Sequence, residues 1–385
     1  MRALGLMSGT SLDGIDAVLL DLRPRGDAYT FEVLGFKSIP FDVEFRTWLL
    51  DKVLPPSRPA PAILAKLDRE LGRRLAEAAL AVAGDEPVDF VASHGLTVFH
   101  DGAERRTLQL GDPYLIREAL GATVVFDFRR ADCAAGGQGA PLVPYVDAML
   151  LRSDLRDTLA LNLGGIANLT VIRQGARASE VRAWDVGPGN ILLDAFVRAR
   201  TRGKQTYDAD GVHALSGRVS QAAVEKMLAD PYFAMEPPKS TGRERFGTHF
   251  LKKHAASLAK LSLANGCATL AAFTVEAIAR DIERYAPPRA RMIVSGGGVH
   301  NHSLLAGIAL RVGSGYDVVP FEDLGVDGDA KEAMAFAILG YEALRGRPAG
   351  VPEVTGANSA AVLGAIAPRA LGELLAKMEE ELAEV

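Results

Sequence analysis

A turn of small and hydroxyl-bearing residues follows the first apolar segment of the chain. Ser8 to Gly14 contains two glycines, three hydroxyl side chains and one carboxylate. Backbone N–H groups in such a turn approach phosphate oxygens closely, and the hydroxyls of Ser8, Thr10 and Ser11 add donors. The turn therefore predicts a phosphate-binding loop. A tight Asp-Gly hairpin turn explains Asp13 and Gly14 taken alone equally well.

Two further glycine clusters follow segments that are typical of strands. Asn162 to Gly165 (NLGG) repeats the strand-to-turn arrangement, and Ser295 to Gly298 (SGGG) lies between a predicted strand and the next helix. A glycine-rich junction lets a nucleotide lie against the backbone, whereas the alternative is a helix start that needs close packing. Three such clusters in this order favour a nucleotide-phosphate site over three unrelated turns.

A carboxylate precedes another glycine-containing turn. Asp185 begins the run DVGPGN, which ends at Asn190 and precedes a helix that starts near Ile191. This order places the carboxylate at the edge of a cleft, with helix N-terminal amides close to the phosphates. The alternative is an aspartate that only caps or turns the chain before the helix.

The same succession of elements occurs twice along the chain. Apolar segments and helical periodicity predict a first β-β-β-α-β unit with strands at 2–7, 15–22, 30–38 and 88–92 and a helix at 61–82. A second copy predicts strands at 159–163, 169–172, 181–184 and 291–294, with helices at 191–200, 216–228, 268–284 and 330–344.

Two lobes that each open with a glycine-ended strand hairpin are what the actin/hexokinase architecture needs to hold phosphates from both sides. We therefore expect an α/β, two-lobed, ribonuclease H-like fold with its ligands in the interdomain cleft. The expected domains are 1–128, with the first phosphate loop, and 129–385, with the second loop, the adenosine site and Asp185. The segment 127–146 should bridge the lobes, and 368–385 should form a surface helix that packs back on the first lobe.

Composition excludes several function classes. The 385-residue chain has a net charge of −5 and 48% hydrophobic residues, so it is typical of soluble globular proteins and lacks the broad basic face that nucleic-acid binding requires. Cys133 and Cys267 lie far apart, and no Cys/His cluster has zinc spacing. Ser8, Gly9 and Asp13 interrupt the N-terminal apolar segment before it reaches signal-peptide or membrane-span length. We expect an untargeted cytoplasmic protein without a membrane partner.

Four longer motifs carry a specific resemblance to one family. They are GLMSGTSLDG at 5–14, AGGQGAPLVP at 135–144, DVGPGN at 185–190 and PKSTGRERF at 238–246. In this order they resemble the anhydro-N-acetylmuramic acid kinases, which belong to the actin/hexokinase/heat-shock-chaperone superfamily of sugar kinases. The resemblance runs from residue 4 to about residue 365. Levoglucosan kinases are the nearest competing family.

The resemblance implies an ATP-dependent kinase of cell-wall recycling. Members of the family open the 1,6-anhydro ring of 1,6-anhydro-N-acetylmuramic acid with water and phosphorylate O6, which gives N-acetylmuramic acid 6-phosphate and ADP. Water must attack C1, a base must take its proton, and O6 must be aimed at the γ-phosphate. The resemblance assigns the base to Asp185, which also contacts the sugar and holds the water as an inverting glycosidase does.

The sugar is expected to contact the first lobe. Its lactyl carboxylate suits bidentate recognition by an arginine, for which Arg130 is the first candidate. An equal alternative is a structural ion pair between Arg130 and Asp127 or Asp132. His94 and Thr97 end a buried strand and are expected to line the sugar pocket, although a histidine such as His94, taken alone, is more often a hydrogen-bonded core residue.

ATP is expected to contact the glycine turns and their neighbours. The predicted nucleotide-binding residues are Gly9, Thr10, Ser11, Leu12, Asp13, Gly14, Ile15, Asp16, Gly164, Gly165, Gly187, Gly189, Asn190, Gly296, Gly297, Gly298 and Glu332. Lys239, Arg243 and Arg245 could assist phosphoryl transfer, with an ordinary solvated loop as the alternative.

The Mg²⁺ that accompanies ATP needs carboxylate ligands. Many sugar kinases carry an aspartate in the first phosphate strand and an acid in the second phosphate turn, but Met7 and Asn162 occupy the comparable positions here. Metal ligation must therefore shift to other carboxylates. The candidates are Asp13 and Asp185, followed by Asp16 and Glu332.

Other function classes share this architecture. A levoglucosan kinase would keep the ATP site and Asp185 but lose the contacts to the lactyl carboxylate. A nucleotide-driven chaperone clamp or a filament subunit would need a peptide-binding extension or polymer contacts, and the chain has no obvious appended module. The family resemblance further implies a homodimer.

Overall fold

The computed structural model describes residues 1–9, 12–25, 28–53, 57–243 and 245–383. Within it the chain divides into two compact units. The first unit comprises Met1–Leu150, Arg177–Glu180 and Asp329–Val385, and the second comprises Leu151–Ala176 and Val181–Gly328.

This division differs from the expected domains 1–128 and 129–385. The segment 127–146, expected to bridge the domains, lies within the first unit, because side-chain bonds tie it to other parts of that unit. Thr355 Oγ1 donates to Asp132 Oδ1 at 2.7 Å, and Asp132 Oδ2 accepts from the Gly139 N–H at 2.8 Å. The crossing to the second unit therefore comes after Leu150.

Both units combine strands with helices. The first stretch of the first unit contains β1 (Arg2–Ser8), β2 (Gly14–Arg25), β3 (Ala28–Pro40), α1 (Val43–Lys52), α2 (Pro61–Ala83), β4 (Phe90–Asp101), β5 (Arg106–Leu110), α3 (Pro113–Leu120), β6 (Thr123–Phe126), α4 (Phe128–Ala134) and α5 (Val143–Leu151). Then follow β7 (Thr158–Leu163), β8 (Ile166–Ile172), β9 (Arg182–Pro188), α6 (Ile191–Arg200), α7 (Val212–Ser216), α8 (Gln221–Leu228), α9 (Thr248–Lys253), α10 (Ala255–Leu258), α11 (Leu263–Tyr285), β10 (Ala290–Ser295), α12 (His302–Val312) and β11 (Tyr316–Pro320). The last stretch adds α13 (Lys331–Leu344), α14 (Pro352–Thr355), β12 (Ala365–Ala367) and α15 (Leu371–Ala383).

The sheet of the first unit has the strand order β3-β2-β1-β4-β6-β12, and β5 also pairs with β4. Strands β1, β2 and β3 form an antiparallel meander. Strand β4 then runs parallel to β1, and β6 runs parallel to β4. A meander followed by parallel strands needs helical crossovers, which α2 and α3 provide along the chain.

The sheet of the second unit has the order β9-β8-β7-β10-β11. Strands β7, β8 and β9 again form an antiparallel meander, and β10 and β11 continue in parallel from β7. The two sheets therefore share one topology, although the halves have little residue identity. This repeated meander-plus-parallel order is the ribonuclease H-like topology, so the expected α/β actin/hexokinase-like fold is confirmed.

Apolar periodicity places the helices against the sheets. In α2, Leu67, Leu71 and Leu75 recur every fourth residue and have no exposed surface. In β1, a Cβ added to Gly5 would lie 2.0 Å from the carbonyl oxygen of Ala333 in α13. The strand that leads into the first turn thus packs directly on the helix that carries Glu332 near its start.

The predicted strands of both meanders are confirmed, and the predicted helix 216–228 is confirmed over Gln221–Leu228 but starts too early. The chain leaves α7 at Ser216 and starts α8 only at Gln221. Gly217, between them, is extended at φ −92° and ψ 168°, and a Cβ there would lie 2.1 Å from Ala264 O of α11. Close packing against α11 therefore interrupts the helical pattern.

The C-terminal segment forms the expected amphipathic helix, α15, and it lies against the first unit. Lys377 Nζ donates to Asp89 Oδ1 at 2.7 Å, and Leu374 and Met378 are buried. None of the helices in the described ranges is long and apolar enough to cross a membrane.

Candidate active site

The first predicted phosphate loop connects β1 to β2. Ser8 Oγ donates to Gly14 O at 2.9 Å, and the Leu12 N–H donates to Gly9 O at 3.1 Å. Leu12 has a left-handed φ of 59° while its side chain is buried, and a Cβ on Gly14 would lie 2.2 Å from Ile39 O. The two ends of the turn are therefore hydrogen-bonded to each other, and Gly14 packs closely against β3. Thr10 and Ser11, which were predicted to bind phosphate, lie outside the described residues.

The remaining predicted residues of this loop differ in what they offer a ligand. Ile15 is 1% exposed in the core, so only its backbone is available. The Asp13 side chain is 72% exposed, and its Oδ1 pairs with Arg46 Nη2 at 3.3 Å. Asp16 lies on β2 opposite Met7 of β1, the position at which many sugar kinases carry an aspartate.

Three charged groups of the first unit influence one another. Desolvation raises the pKa of Glu332, the Arg129 guanidinium lowers it, and the Asp16 carboxylate raises it further. The Glu332 side chain is exposed to solvent. Arg129 was not predicted as a site residue. The Arg129-Arg130 pair was visible in the sequence, but nothing in it indicated which arginine would lie inside.

Arg129 ties this cluster to His94. Its Nε donates to His94 Nε2 at 3.0 Å, and its Nη1 donates to Gly139 O at 2.9 Å. Because His94 Nδ1 then donates to Gly95 O at 3.0 Å, the ring is neutral with its proton on Nδ1. Burial lowers the pKa of His94 well below its ordinary value, and Arg129 acts in the same direction. His94 therefore has the bonding of a core histidine.

A cavity of about 210 Å³ in the first unit is lined by Ser93, His94, Gln109, Asp127 and Arg130, among other residues. Two of the three sugar-binding residues predicted in the first unit, His94 and Arg130, thus line one cavity. The third, Thr97, accepts a bond from Gln109 Nε2 at 3.0 Å.

Arg130 forms an ion pair with Asp127, which was predicted as the alternative to binding the lactyl carboxylate. This pair leaves 67% of the Arg130 side chain exposed. The guanidinium therefore remains accessible to an anion, and the pairing does not exclude a ligand.

The glycine clusters of the second unit meet in space. The N–H groups of Gly189 and Asn190 donate to Gly165 O and Gly164 O, both at 2.9 Å. A Cβ on Gly189 would lie 2.2 Å from Gly164 O. The turn between β7 and β8 therefore lies directly on the turn that ends β9, with no room for a side chain between them.

The third cluster joins the same assembly. Gly296 has φ 84°, and a Cβ there would lie 2.4 Å from Asn162 Oδ1, while a Cβ on Gly298 would lie 2.6 Å from the Leu163 side chain. Asn190 Nδ2 donates to Leu163 O at 3.2 Å. Around Gly297 there is open space. A cradle of backbone with few side chains fits a phosphate chain and a nucleoside.

Asp185 lies on β9, two residues before Gly187 of this assembly. Its Oδ2 accepts bonds from Ser240 Oγ at 3.0 Å and from the Thr241 N–H at 2.9 Å. Its N–H donates to Lys239 O at 3.0 Å, and its own carbonyl accepts from Tyr232 Oη at 2.6 Å. The carboxylate is only partly buried, so it is both held in place and open to a water molecule.

The basic run near Asp185 has a different role from the one predicted. The Lys239 side chain is fully buried and pairs with Asp281 Oδ2 at 2.9 Å. Arg245 Nη2 pairs with Asp230 Oδ1 at 2.6 Å, and only Arg243 is exposed. The suggestion that Lys239 meets the transferred phosphate is therefore wrong for this conformation, because its ammonium is already neutralised in the interior.

Metal ligation was also predicted from the sequence. Among the described residues, no three His, Cys, Asp or Glu side chains form a group that could hold a metal. Mg²⁺ bound with ATP commonly uses one or two carboxylates together with phosphate oxygens and waters. Asp16 and Glu332 are two carboxylates of the first unit, and the Asp16 charge acts on the pKa of Glu332. Asp13 pairs with Arg46.

Asp194, in the first turn of α6, makes stability depend on pH. Desolvation, partly offset by Arg198, raises its pKa from 3.8 to about 6. Between these values the folded chain binds more protons than the unfolded chain, so stability falls as pH rises from 4 to 6. Asp194→Asn should reduce the fall in the free energy of unfolding between pH 4.5 and pH 7.5 by about 2 kcal/mol. Urea unfolding at pH 4.5 and pH 7.5 measures it, and Asp210→Asn, an exposed control, should leave the pH dependence unchanged.

Comparison with known proteins places the chain in a family. The family model described as anhydro-N-acetylmuramic acid kinase matches residues 1–369. The protein of that name from Streptomyces coelicolor is 41% identical over 374 residues, which cover 96% of this chain and 94% of the relative. The protein of that name from Caldanaerobacter subterraneus subsp. tengcongensis is 38% identical over 382 residues, which cover 94% of this chain and 96% of the relative.

Similarity to solved structures is much weaker. The activator of the 2-hydroxyisocaproyl-CoA dehydratase from Clostridium difficile aligns with a TM-score of 0.41 at 10% identity, covering 90% of this chain and 97% of that one. A score this low carries no conclusion about fold or activity. The family model over residues 1–369 and the two relatives at 41% and 38% identity show that this chain belongs to the anhydro-N-acetylmuramic acid kinase family.

Proposed function

We propose that this chain uses ATP and water to convert 1,6-anhydro-N-acetylmuramic acid into N-acetylmuramic acid 6-phosphate and ADP, a step of peptidoglycan recycling. The observation that carries the proposal is the family match over residues 1–369. Support comes from the backbone cradle of the second unit and from Asp185, which lies beside it and is held by Ser240 and Thr241.

Asp185 acts as the general base in this proposal. It takes a proton from the water that attacks C1, the C1–O6 bond breaks, and its electron pair goes to O6. O6 attacks the γ-phosphorus of ATP, and the bond from that phosphorus to the bridging oxygen breaks, so that ADP leaves with the electron pair. Holding Oδ2 by two donors fixes the direction from which the carboxylate meets the water. The amides of Gly164 and Gly165 stabilise the charge on the phosphates, while the N–H groups of Gly189 and Asn190 hold that turn in place.

ATP and Mg²⁺ are the proposed cofactors. Mg²⁺ bound to ATP neutralises charge that develops on the phosphoryl oxygens. Asp16 and Glu332 are the residues we propose to hold it, directly or through waters, in preference to Asp13. Asp185 then contacts the attacking water as general base and does not bind Mg²⁺.

Arg130 is proposed to recognise the lactyl carboxylate of the sugar. Arg130→Ala should raise the KM for the anhydromuramic sugar by about 10- to 100-fold, because a charge-assisted bidentate bond of ~1.5–3 kcal/mol is lost. Turnover of levoglucosan, which has no carboxylate, should change little. Steady-state kinetics with both sugars measure the difference, and equal losses would contradict the role.

A single labelled-water experiment tests the reaction itself. The chain is incubated with ATP, Mg²⁺ and the anhydro sugar in H₂¹⁸O, and the product is analysed by mass spectrometry. We expect one heavy oxygen at C1 together with one phosphate at O6. Phosphate transfer without solvent oxygen would instead identify an ordinary hydroxyl kinase, and absence of any sugar phosphate would overturn the proposed function.

The proposal includes a cytoplasmic homodimer, which rests on family membership alone. Light scattering coupled to size-exclusion chromatography measures the oligomeric state, and a molar mass near 40.9 kDa, the mass of one chain, would contradict the dimer.

A further inference from the structure

A buried carboxylate outside the predicted site connects the two segments that meet at Asp185. Asp281, on α11, has only 3% of its side chain exposed. Its Oδ2 accepts from Trp184 Nε1 at 2.9 Å and pairs with Lys239 Nζ at 2.9 Å, and its Oδ1 lies 3.1 Å from the same ammonium. Trp184 directly precedes Asp185, and Lys239 directly precedes Ser240. The Asp281 carboxylate therefore bonds to Trp184, the residue before the base, and to Lys239, the residue before the Ser240 donor.

The segment that begins at Lys239 donates to Asp185 through Ser240 and Thr241. It is also held in place at Arg245. Arg245 pairs with Asp230 at 2.6 Å. The cations of Lys239 and Arg245 lie 5.1 Å and 5.3 Å from the centre of the Tyr232 ring. The Tyr232 hydroxyl in turn donates to the backbone carbonyl of Asp185. Lys239 and Arg245 thus both contact the Tyr232 ring, and the Tyr232 hydroxyl contacts Asp185.

Between these anchors, the segment holds Asp185 at its backbone and at its side chain. Lys239 O accepts the Asp185 N–H, while Ser240 and Thr241 donate to Oδ2. A shift of Lys239 would therefore move the donors of Oδ2 and the backbone of Asp185 together. The only charged partner of Lys239 among the described residues is Asp281.

We propose that Asp281 is a positioning residue that sets the orientation of the Asp185 carboxylate through Lys239 and Trp184. A buried ion pair contributes little net stability, since its desolvation offsets its attraction, but it defines one geometry. That geometry matters for a general base, because a misplacement of about 1 Å can cost ~10²-fold in rate. The consequence for turnover rests on the function proposed above, whereas the consequence for local structure does not.

The structural part is tested by hydrogen exchange on the full chain. In Asp281→Asn the N–H groups of Asp185 and Thr241 should exchange at least 10-fold faster, because Lys239 loses its charged partner. Glu276→Gln is the matched control: it lies on the same helix and removes comparable bonds, to Arg280 and Arg311 at 2.9 Å and 2.8 Å. It should leave both amides unchanged. Unchanged exchange in Asp281→Asn would overturn the inference, whatever the activity of the protein.

The catalytic part is tested by a double-mutant cycle on kcat. Asp281→Asn should lower kcat about 10- to 100-fold and leave KM for ATP and sugar within about 3-fold, because orientation rather than binding is lost. Ser240→Ala removes one donor directly. If Asp281 acts through this segment, the two losses should combine to less than their product. Independent, fully multiplicative losses, or an unchanged kcat in Asp281→Asn, would overturn the positioning role.

The proposed function and the positioning role of Asp281 can be contradicted independently of each other. A wild-type chain without anhydro-sugar-dependent ADP formation contradicts the proposed function, and the exchange data still decide the positioning of Asp185. If Asp281→Asn does not fold, Trp184→Phe replaces it in both measurements, because it removes the Nε1 bond to Asp281 and keeps the ion pair, although it also shortens a buried ring that packs against Tyr285. Faster exchange at Asp185 with a several-fold lower kcat supports the inference, and wild-type values for both overturn it.

Discussion

Asp185→Asn should lower turnover of the anhydro sugar by about 10²- to 10⁴-fold, the range expected for loss of a general base. An asparagine has the same shape, and its amide oxygen can keep the bonds from Ser240 and Thr241. It cannot take a proton from the attacking water. The loss should therefore fall on kcat, while ATP binding, measured by calorimetry, stays within about 3-fold of wild type.

The control for this substitution is Asp154→Asn, an aspartate of the same unit that is 81% exposed. It should have wild-type kinetics. Substantial residual activity in Asp185→Asn would contradict the assignment of the base. Loss of ATP binding together with activity would instead point to a role of Asp185 in holding the nucleotide or its metal.

Gly189→Ala should destabilise the second unit and abolish nucleotide binding. The added Cβ would lie 2.2 Å from Gly164 O; the oxygen belongs to the backbone and the Cβ is fixed to it, so neither can move without opening the contact between the two turns. Overpacking of this kind costs ~1–3 kcal/mol or more, which lowers Tm by roughly 2–4 °C per kcal/mol in a unit of this size. Calorimetric unfolding and ATP titration measure the two effects.

Gly165→Ala is the matched control because it adds the same methyl group to the facing turn. Its Cβ would meet nothing closer than the Ile191 side chain at 3.8 Å, so Tm should stay within about 2 °C, the effect of under ~1 kcal/mol. If Gly165 approaches phosphate, ATP affinity should still fall. Equal destabilisation by both substitutions would contradict the packing explanation, and unchanged ATP affinity in Gly165→Ala would remove this glycine from the proposed phosphate site.

Much of the fold could be predicted because its signals are local. The six strands of the two meanders and the long helices α2 and α11 carry continuous apolar patterns, and turns rich in glycine separate them. The prediction failed where contacts between distant residues decided the outcome. Gly217 interrupts a helical pattern because it must fit against Ala264. The bridge expected at 127–146 instead belongs to the first unit, which holds it through Thr355.

Some features of the candidate site likewise depend on the local sequence, and others depend on contacts between residues far apart in the chain. The amino-acid sequence by itself determined the family, the glycine turns and the carboxylate of Asp185, because these depend on residue type and short spacing. Only the tertiary structure decided which charges are available. Lys239 is withdrawn from the site by Asp281, which lies 42 residues away in sequence, and Trp184 bonds to the same carboxylate across 97 residues. Arg129 is drawn inward to His94, while its neighbour Arg130 stays accessible. Such pairings require side chains from separate elements to meet at bonding distance, and no spacing along the chain encodes that encounter.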